Sequence, residues 1–282
     1  MIPRSISGSL VHEVAARLGS DWSRLRFDLI GEGSQAACYR VTSDQGLMDD
    51  ESILKVFHSS DSASQFLAHE FDTLRTFFEV SRTVPEFGCP EPRAMFYRER
   101  GYLMERVHGE QLSGLVDHGA LGASRITEVQ HILLKALRTF HKATGEYYGD
   151  FHPDNVFVHF GDRGITVTLI DPGMANSPLY YAPAGWPNTM PLSVDLGYWA
   201  FVEHARHWRA LIVRPRQAIR RIQFSRSLIA EAVKAEECDG MRKNVGEIVR
   251  WHAQRFRDEP SGRLTLVGEF AERLARLTCH LS

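Results

Sequence analysis

Hydrophobic and polar residues alternate in two rhythms along the chain: short, strand-like runs up to about Arg106, and long helical stripes after it. Leu10, Val11, Val14, Ala15 and Leu18 recur at helical spacing and predict a short helix over Ser9 to Leu18. Leu25 to Ile30 predicts a strand that runs into Gly31-Glu32-Gly33-Ser34-Gln35-Ala36, and Cys38 to Val41 predicts a second strand leaving that turn. After the polar stretch Ser43 to Ser52, Ile53-Leu54-Lys55-Val56-Phe57 reads as a third. Leu67, Phe71, Leu74 and Phe78 then stripe a helix over Ala63 to Phe78. Beyond the Pro-containing loop Val84 to Pro92, the runs Arg93 to Tyr97 and Gly101 to Val107 predict two more strands, separated by Arg98-Glu99-Arg100.

The second half changes character. Ile126, Val129, Leu133, Leu137 and Phe140 form one apolar helical face. Val156 to Val158 and Ile165 to Ile170 flank Gly161-Asp162-Arg163-Gly164, a hairpin signal that sets Asn155 and Asp171 at its two ends. Leu192 to Ser282 reads as almost wholly helical, interrupted near Arg214-Pro215, Asp239-Gly240 and Pro260-Ser261-Gly262.

Composition narrows the class. With 282 residues, 43% of them hydrophobic, the chain can bury a sizeable core in one large domain or two lobes. A formal charge of -2 supplies no global basic field, which argues against non-specific nucleic-acid binding as the main activity. Arg209, Arg214, Arg216, Arg220, Arg221 and Arg226 crowd one stretch, which reads most simply as a solvated helix face. Cys38, Cys89, Cys238 and Cys279 show no CxxC pair and no metal spacing, so a reducing compartment is expected. No signal-peptide core and no apolar run of membrane-spanning length is present, and a soluble cytoplasmic protein is the expectation.

The polar residues that interrupt these patterns carry the chemistry. Tyr148-Gly149-Asp150-Phe151-His152-Pro153-Asp154-Asn155 holds an Asp with an Asn five residues later, Leu169-Ile170-Asp171-Pro172-Gly173 ends a strand in an Asp, and Lys55 sits in an otherwise apolar strand. As a set, in this order, they resemble the protein-kinase-like phosphotransferase superfamily over about Leu29 to His204. The Asp150 loop is most similar to the His-Gly-Asp-x-His-x-x-Asn loops of aminoglycoside phosphotransferases and related small-molecule kinases. The resemblance implies an α+β two-lobe fold: an N-terminal helical extension over 1–24, a β-rich N-lobe over 25–106 and a helical C-lobe over 107–282.

It also implies a division of labour. Phosphoryl transfer needs a cation on the donor phosphates, ligands for magnesium and a carboxylate that orients the acceptor hydroxyl. Lys55, held by Glu70, would contact the phosphates of ATP, Asn155 and Asp171 would bind Mg2+, and Asp150 would be the catalytic carboxylate. Glu51 and Asp72 compete with Glu70 for Lys55. Gly31, Gly33 and Ser34 would cover the phosphates, with Ala36 where the family has a third Gly; a bare turn explains the glycines as well. Met104 would take the gatekeeper position, and Glu105 C=O with Val107 N–H would meet the adenine edge, although an ordinary buried strand accounts for the same residues. His152 is expected to brace the loop by hydrogen bonding, while Asp154 is either a solvent-exposed turn residue or an extra contact.

Gly149, in place of the Arg of His-Arg-Asp loops, and Pro172, in place of the Phe of Asp-Phe-Gly, point away from an enzyme switched by activation-loop phosphorylation. Tyr180-Tyr181-Ala182-Pro183-Ala184 followed by Asp195 resembles the Ala-Pro-Glu segment and downstream helix of protein kinases, abbreviated as in RIO-like kinases. Asp195 then takes a structural role beneath the catalytic loop. The expected function is ATP-dependent transfer of a phosphoryl group to a small-molecule hydroxyl. The alternatives are an atypical Ser/Thr protein kinase and a catalytically weak ATP-binding scaffold. Trp199, Trp208 and Trp251 line either an acceptor pocket or the core.

Overall fold

The computed structural model describes residues 6–33, 35–43, 51–58, 63–162, 164–173, 191–207, 213–236 and 239–257. Cα packing divides the chain into two units, Met1–Glu79 with Cys89–His108, and Val80–Gly88 with Gly109–Ser282.

In the first unit the chain runs α1 (Gly8–Leu18), β1 (Leu25–Glu32), β2 (Ala36–Ser43), β3 (Ser52–Phe57) and α2 (Ala63–Ser81). Past β4 (Phe87–Gly88), which pairs in the second unit, it adds β5 (Pro92–Phe96) and β6 (Gly101–Glu105). Five strands form one antiparallel sheet in the order β1-β2-β3-β6-β5. Two-residue alternation gives the sheet two different faces. On one, Phe27, Tyr39, Val41, Leu54 and Leu103 pack with Leu10, Val11 and Val14 of α1 into a buried cluster. Ser7 caps α1, its Oγ accepting from Leu10 N at 3.1 Å, and the hydroxyls of Ser7 and Ser9 donate to Glu99 at 2.5 and 2.6 Å. Those bonds hold the Glu99 carboxyl below its usual value. The other face carries Lys55 and Tyr102, register partners across β3 and β6, and receives α2 through Glu70 and Phe71.

The second unit contains β7 (Glu110–Gln111), α3 (Leu112–His118), α4 (Ala123–Thr144), β8 (Val156–Gly161), β9 (Gly164–Leu169), α5 (Pro191–His207), α6 (Pro215–Glu236) and α7 (Asp239–Arg257). Its small sheet has the order β4-β9-β8-β7, in which β4 pairs parallel with β9 and the β8–β9 hairpin closes at Gly161↔Gly164. Val129, Leu133, Ala136, Leu137 and Phe140 of α4 are fully buried, as are Leu196 and Trp199 of α5. Trp199 is therefore core, with the Phe151 ring tilted against it at 4.5 Å and Phe224 of α6 stacked on it at 6.1 Å. No described helix is long and apolar enough to cross a membrane.

These elements realise the expected α+β architecture, a β-rich first unit and a mainly helical second one. Three short elements had no counterpart in the sequence pattern: β4, β7 and α3. Trp208, Cys238, Cys279 and Tyr180 to Ala184 lie outside the described residues.

The contact of α5 with α7 is tight at Gly197, where an added Cβ would sit 2.5 Å from Ile248 Cγ2 and 2.6 Å from its Cβ. Ala in a helix is favoured over Gly by about 1 kcal/mol, whereas overpacking a core costs about 1–3 kcal/mol. The clash involves a β-branched side chain close to its backbone, so overpacking should win. Gly197→Ala is expected to lower stability in a urea melt, and a rise of about 1 kcal/mol, as helix propensity alone dictates, would contradict this packing.

Candidate functional site

In the first unit, burial and charge meet at Lys55. The side chain is 10% exposed and its Nζ lies 2.7 Å from Glu70 Oε1, itself 8% exposed. Tyr102 donates its hydroxyl to the same carboxylate oxygen at 2.6 Å, and the Phe71 ring meets the Tyr102 ring edge-on at 5.6 Å. The Lys55 ammonium also stands 5.5 Å from the centre of the Phe57 ring. A buried cation on an apolar strand costs several kcal/mol without a partner, about 3–5 kcal/mol if one partner of such a pair is removed. The two competitors are engaged elsewhere: Glu51 pairs with Arg106, and Asp72 pairs with Arg75 at 3.0 Å.

Gly31 lies near the end of β1, paired with Cys38, and Gly33 lies in the β1–β2 turn, whose ends pair as Glu32↔Ala37, with Gly33 N donating to Ala36 O at 2.8 Å. Neither glycine has a positive φ, and a Cβ would meet nothing within 4 Å at Gly31 and only Ala36 O, at 3.7 Å, at Gly33. The backbone therefore does not demand glycine at either position. Ser34 lies outside the described residues. Met104 is buried, while Glu105 and Val107 are half-buried at and just beyond the end of β6. Glu105 N is already committed to Glu91 O at 2.9 Å.

In the second unit the loop from Tyr148 to Asn155 is held from below. Asp195 of α5 is completely buried, and its carboxylate accepts from Tyr148 N and Gly149 N, each at 2.9 Å, with His141 Nε2 2.7 Å away. From the side, the Tyr148 hydroxyl donates to Ile170 O, and Ile170 N donates to Asn155 O at 2.9 Å. Gly149 sits at φ 90°, where a Cβ would lie 2.9 Å from the Gly173 backbone. The loop thereby closes against the segment that follows β9.

These ties bring three of the expected residues together. Asn155 Nδ2 donates to Asp150 O at 2.9 Å and reaches Asp150 Oδ2 at 3.3 Å. Asn155 immediately precedes β8, and Asp171 follows its hairpin partner β9 by two residues, at φ 54°, a left-handed conformation that Asp tolerates better than most residues. With its amide nitrogen engaged, the Asn155 side chain keeps its carbonyl oxygen as the donor atom for a metal. An amide oxygen and a carboxylate are the hard ligands that magnesium takes alongside water and phosphate oxygens, so the residues fit that ion.

Three residues here make contacts that were not legible beforehand or differ from expectation. Tyr198 of α5 donates to Asp150 Oδ1 at 2.7 Å. His152 lies 3.4 Å from Asp150 Oδ1 and 3.6 Å from Asp154 Oδ2, at charge-pair range, and its Nδ1 has no hydrogen-bond partner among the described residues. The expected hydrogen-bonded brace is thus absent at Nδ1, and the ring is buried against the two carboxylates. Arg221 is not part of a solvated face: it is 8% exposed and grips Asp117 at the end of α3 bidentately, at 2.6 and 2.8 Å. Its Nη1 stands 3.5 Å from buried Glu203 and 4.0 Å from Asp154, so Asp154 faces a buried cation. Burial works against the Arg221 charge, but the Asp117 bonds and the fields of Glu203, Asp117 and Asp154 outweigh it and raise its pKa.

No family model matches the sequence, and no curated protein matches it. Among solved structures, the chain is similar to the PknI kinase domain of Mycobacterium tuberculosis. One double mutant of that domain aligns at 20% identity over 80% of this chain and 95% of that one, with a TM-score of 0.43. The domain without substitutions aligns at 18% identity over 64% of this chain and 72% of that one, with a TM-score of 0.41.

Asp195 and Gly149 yield a paired prediction. Asp195→Asn turns an acceptor toward two backbone donors into a group that is half donor, and should cost about 2–4 kcal/mol in a denaturant melt. Gly149→Ala should cost a similar amount through its positive φ and the Gly173 contact. Loss below about 0.5 kcal/mol in both, the range of ordinary surface substitutions, would show that the loop is not held this way.

Proposed function

We propose that the chain is an ATP-dependent phosphotransferase of the protein-kinase-like superfamily, acting on a hydroxyl of a small molecule. The observation that carries the reading is the convergence of Asp150, Asn155 and Asp171 on one hydrogen-bonded loop and hairpin. The buried Lys55–Glu70–Tyr102 cluster adds a fixed cation of the kind that phosphate oxygens require.

Each residue has a task in the reaction. Lys55, oriented by Glu70, would contact the donor phosphates of ATP, beneath a β1–β2 turn whose glycines leave the backbone open to close approach. Asn155 and Asp171 would hold magnesium, which supplies neutralising charge to the phosphate oxygens when bound. Asp150 would accept a hydrogen bond from the acceptor hydroxyl and take its proton as that oxygen bonds to the γ-phosphorus and the bond to the ADP oxygen breaks.

Preference for a small acceptor over a phosphorylation-switched protein kinase is supported at Gly149. The backbone there leaves no space for the Arg that reads an activation-loop phosphate, because even a Cβ would press on Gly173.

The test uses γ-labelled ATP and magnesium with a cell extract split into macromolecular and small-molecule fractions. Label should enter the small-molecule fraction, and Asp150→Ala and Lys55→Met should each reduce the rate by about 10²–10⁴-fold. Asp150-dependent label on protein would instead establish a protein kinase, and nucleotide binding without any transfer would establish a scaffold.

A further inference from the structure

We propose that Tyr198 is a positioning residue for Asp150, an inference that rests on the phosphotransferase reading and adds to it a helix-borne clamp on the catalytic carboxylate. Asp195 and Tyr198 are three residues apart on α5 and so share one face of that helix. Asp195 takes the loop backbone at Tyr148 and Gly149, while Tyr198 takes the loop side chain, its hydroxyl donating to Asp150 Oδ1 at 2.7 Å. One rigid element thus fixes both the path of the loop and the aim of its carboxylate.

The phenol is itself held by packing. Its ring meets His252 of α7 edge-on at 5.3 Å, and His252 is buried and stacked on Phe201 of α5 at 5.2 Å. Asp150 is partly exposed, its side chain 41% accessible. Unpinned, such a carboxylate would sample several rotamers. With one oxygen tied to Tyr198 and the Asn155 amide 3.3 Å from the other, its plane is set before an acceptor arrives. Preorganisation of that kind raises turnover without strengthening nucleotide binding.

Tyr198→Phe deletes the hydroxyl and keeps the ring on His252. With MgATP as donor and water as the acceptor, kcat for hydrolysis should fall about tenfold or more, the range for a lost hydrogen bond to a charged group. KM for MgATP should stay within about twofold and the thermal midpoint should be nearly unchanged. In an Asp150→Ala background the same substitution should have no further effect, because Tyr198 acts through Asp150. An unchanged kcat, a loss confined to KM or to thermal stability, or an equal loss in the Asp150→Ala background overturns the proposal while leaving the phosphotransferase reading in place. A wild-type chain that neither turns over MgATP nor labels any acceptor fraction overturns that reading, and this proposal with it.

Discussion

A fully buried carboxylate must find partners for its lone pairs, and Asp195 finds them in the backbone of the loop that carries Asp150. Asp195 and the loop constrain each other. Without the N–H groups of Tyr148 and Gly149, and His141 behind them, the burial of Asp195 would be costly; without Asp195, those donors would be buried and unpaired. Because Tyr148 also reaches Ile170 and Asn155 binds Asp150, the constraint spreads from α5 through the loop to both ends of the β8–β9 hairpin. Gly149 and Gly173 let the chain pass closely enough for this to happen.

The first unit solves a similar problem with different parts. An alternating strand places Leu54 in the α1-packed core and turns Lys55 to the other face, where α2 brings Glu70 and β6 brings Tyr102. The cation is held by neighbours on a second strand and a helix, so its position follows from the packing of the sheet. Both units therefore hold chemically expensive groups on rigid elements, at positions that a stability-driven sequence would fill with apolar residues.

Much of this was legible because it follows local periodicity. The five strands, α2, α4 and the β8–β9 hairpin are each long enough to show a rhythm of two or of three to four residues. The Lys55–Glu70 partnership came from the resemblance, which sets a strand lysine against a carboxylate on the helix that follows. β4 and β7 are two residues each and α3 only seven, too short for periodicity to declare itself. Tyr198 was hidden for another reason. Within Asp195-Leu196-Gly197-Tyr198-Trp199-Ala200 it reads as one more apolar helix position, and only the fold shows its hydroxyl against Asp150. Arg221 was masked by its neighbours: a run of arginines looks solvated until Asp117, Glu203 and Asp154 converge on one of them.

For the proposed phosphotransferase, ATP binding would depend on Lys55 and, through magnesium, on Asn155 and Asp171. Titration calorimetry with ATP in the presence and absence of magnesium tests it directly. Magnesium should tighten binding, Asp171→Ala should abolish this magnesium dependence, and Lys55→Met should weaken binding whether or not the ion is present. ATP affinity that is indifferent to magnesium and to both substitutions would contradict it.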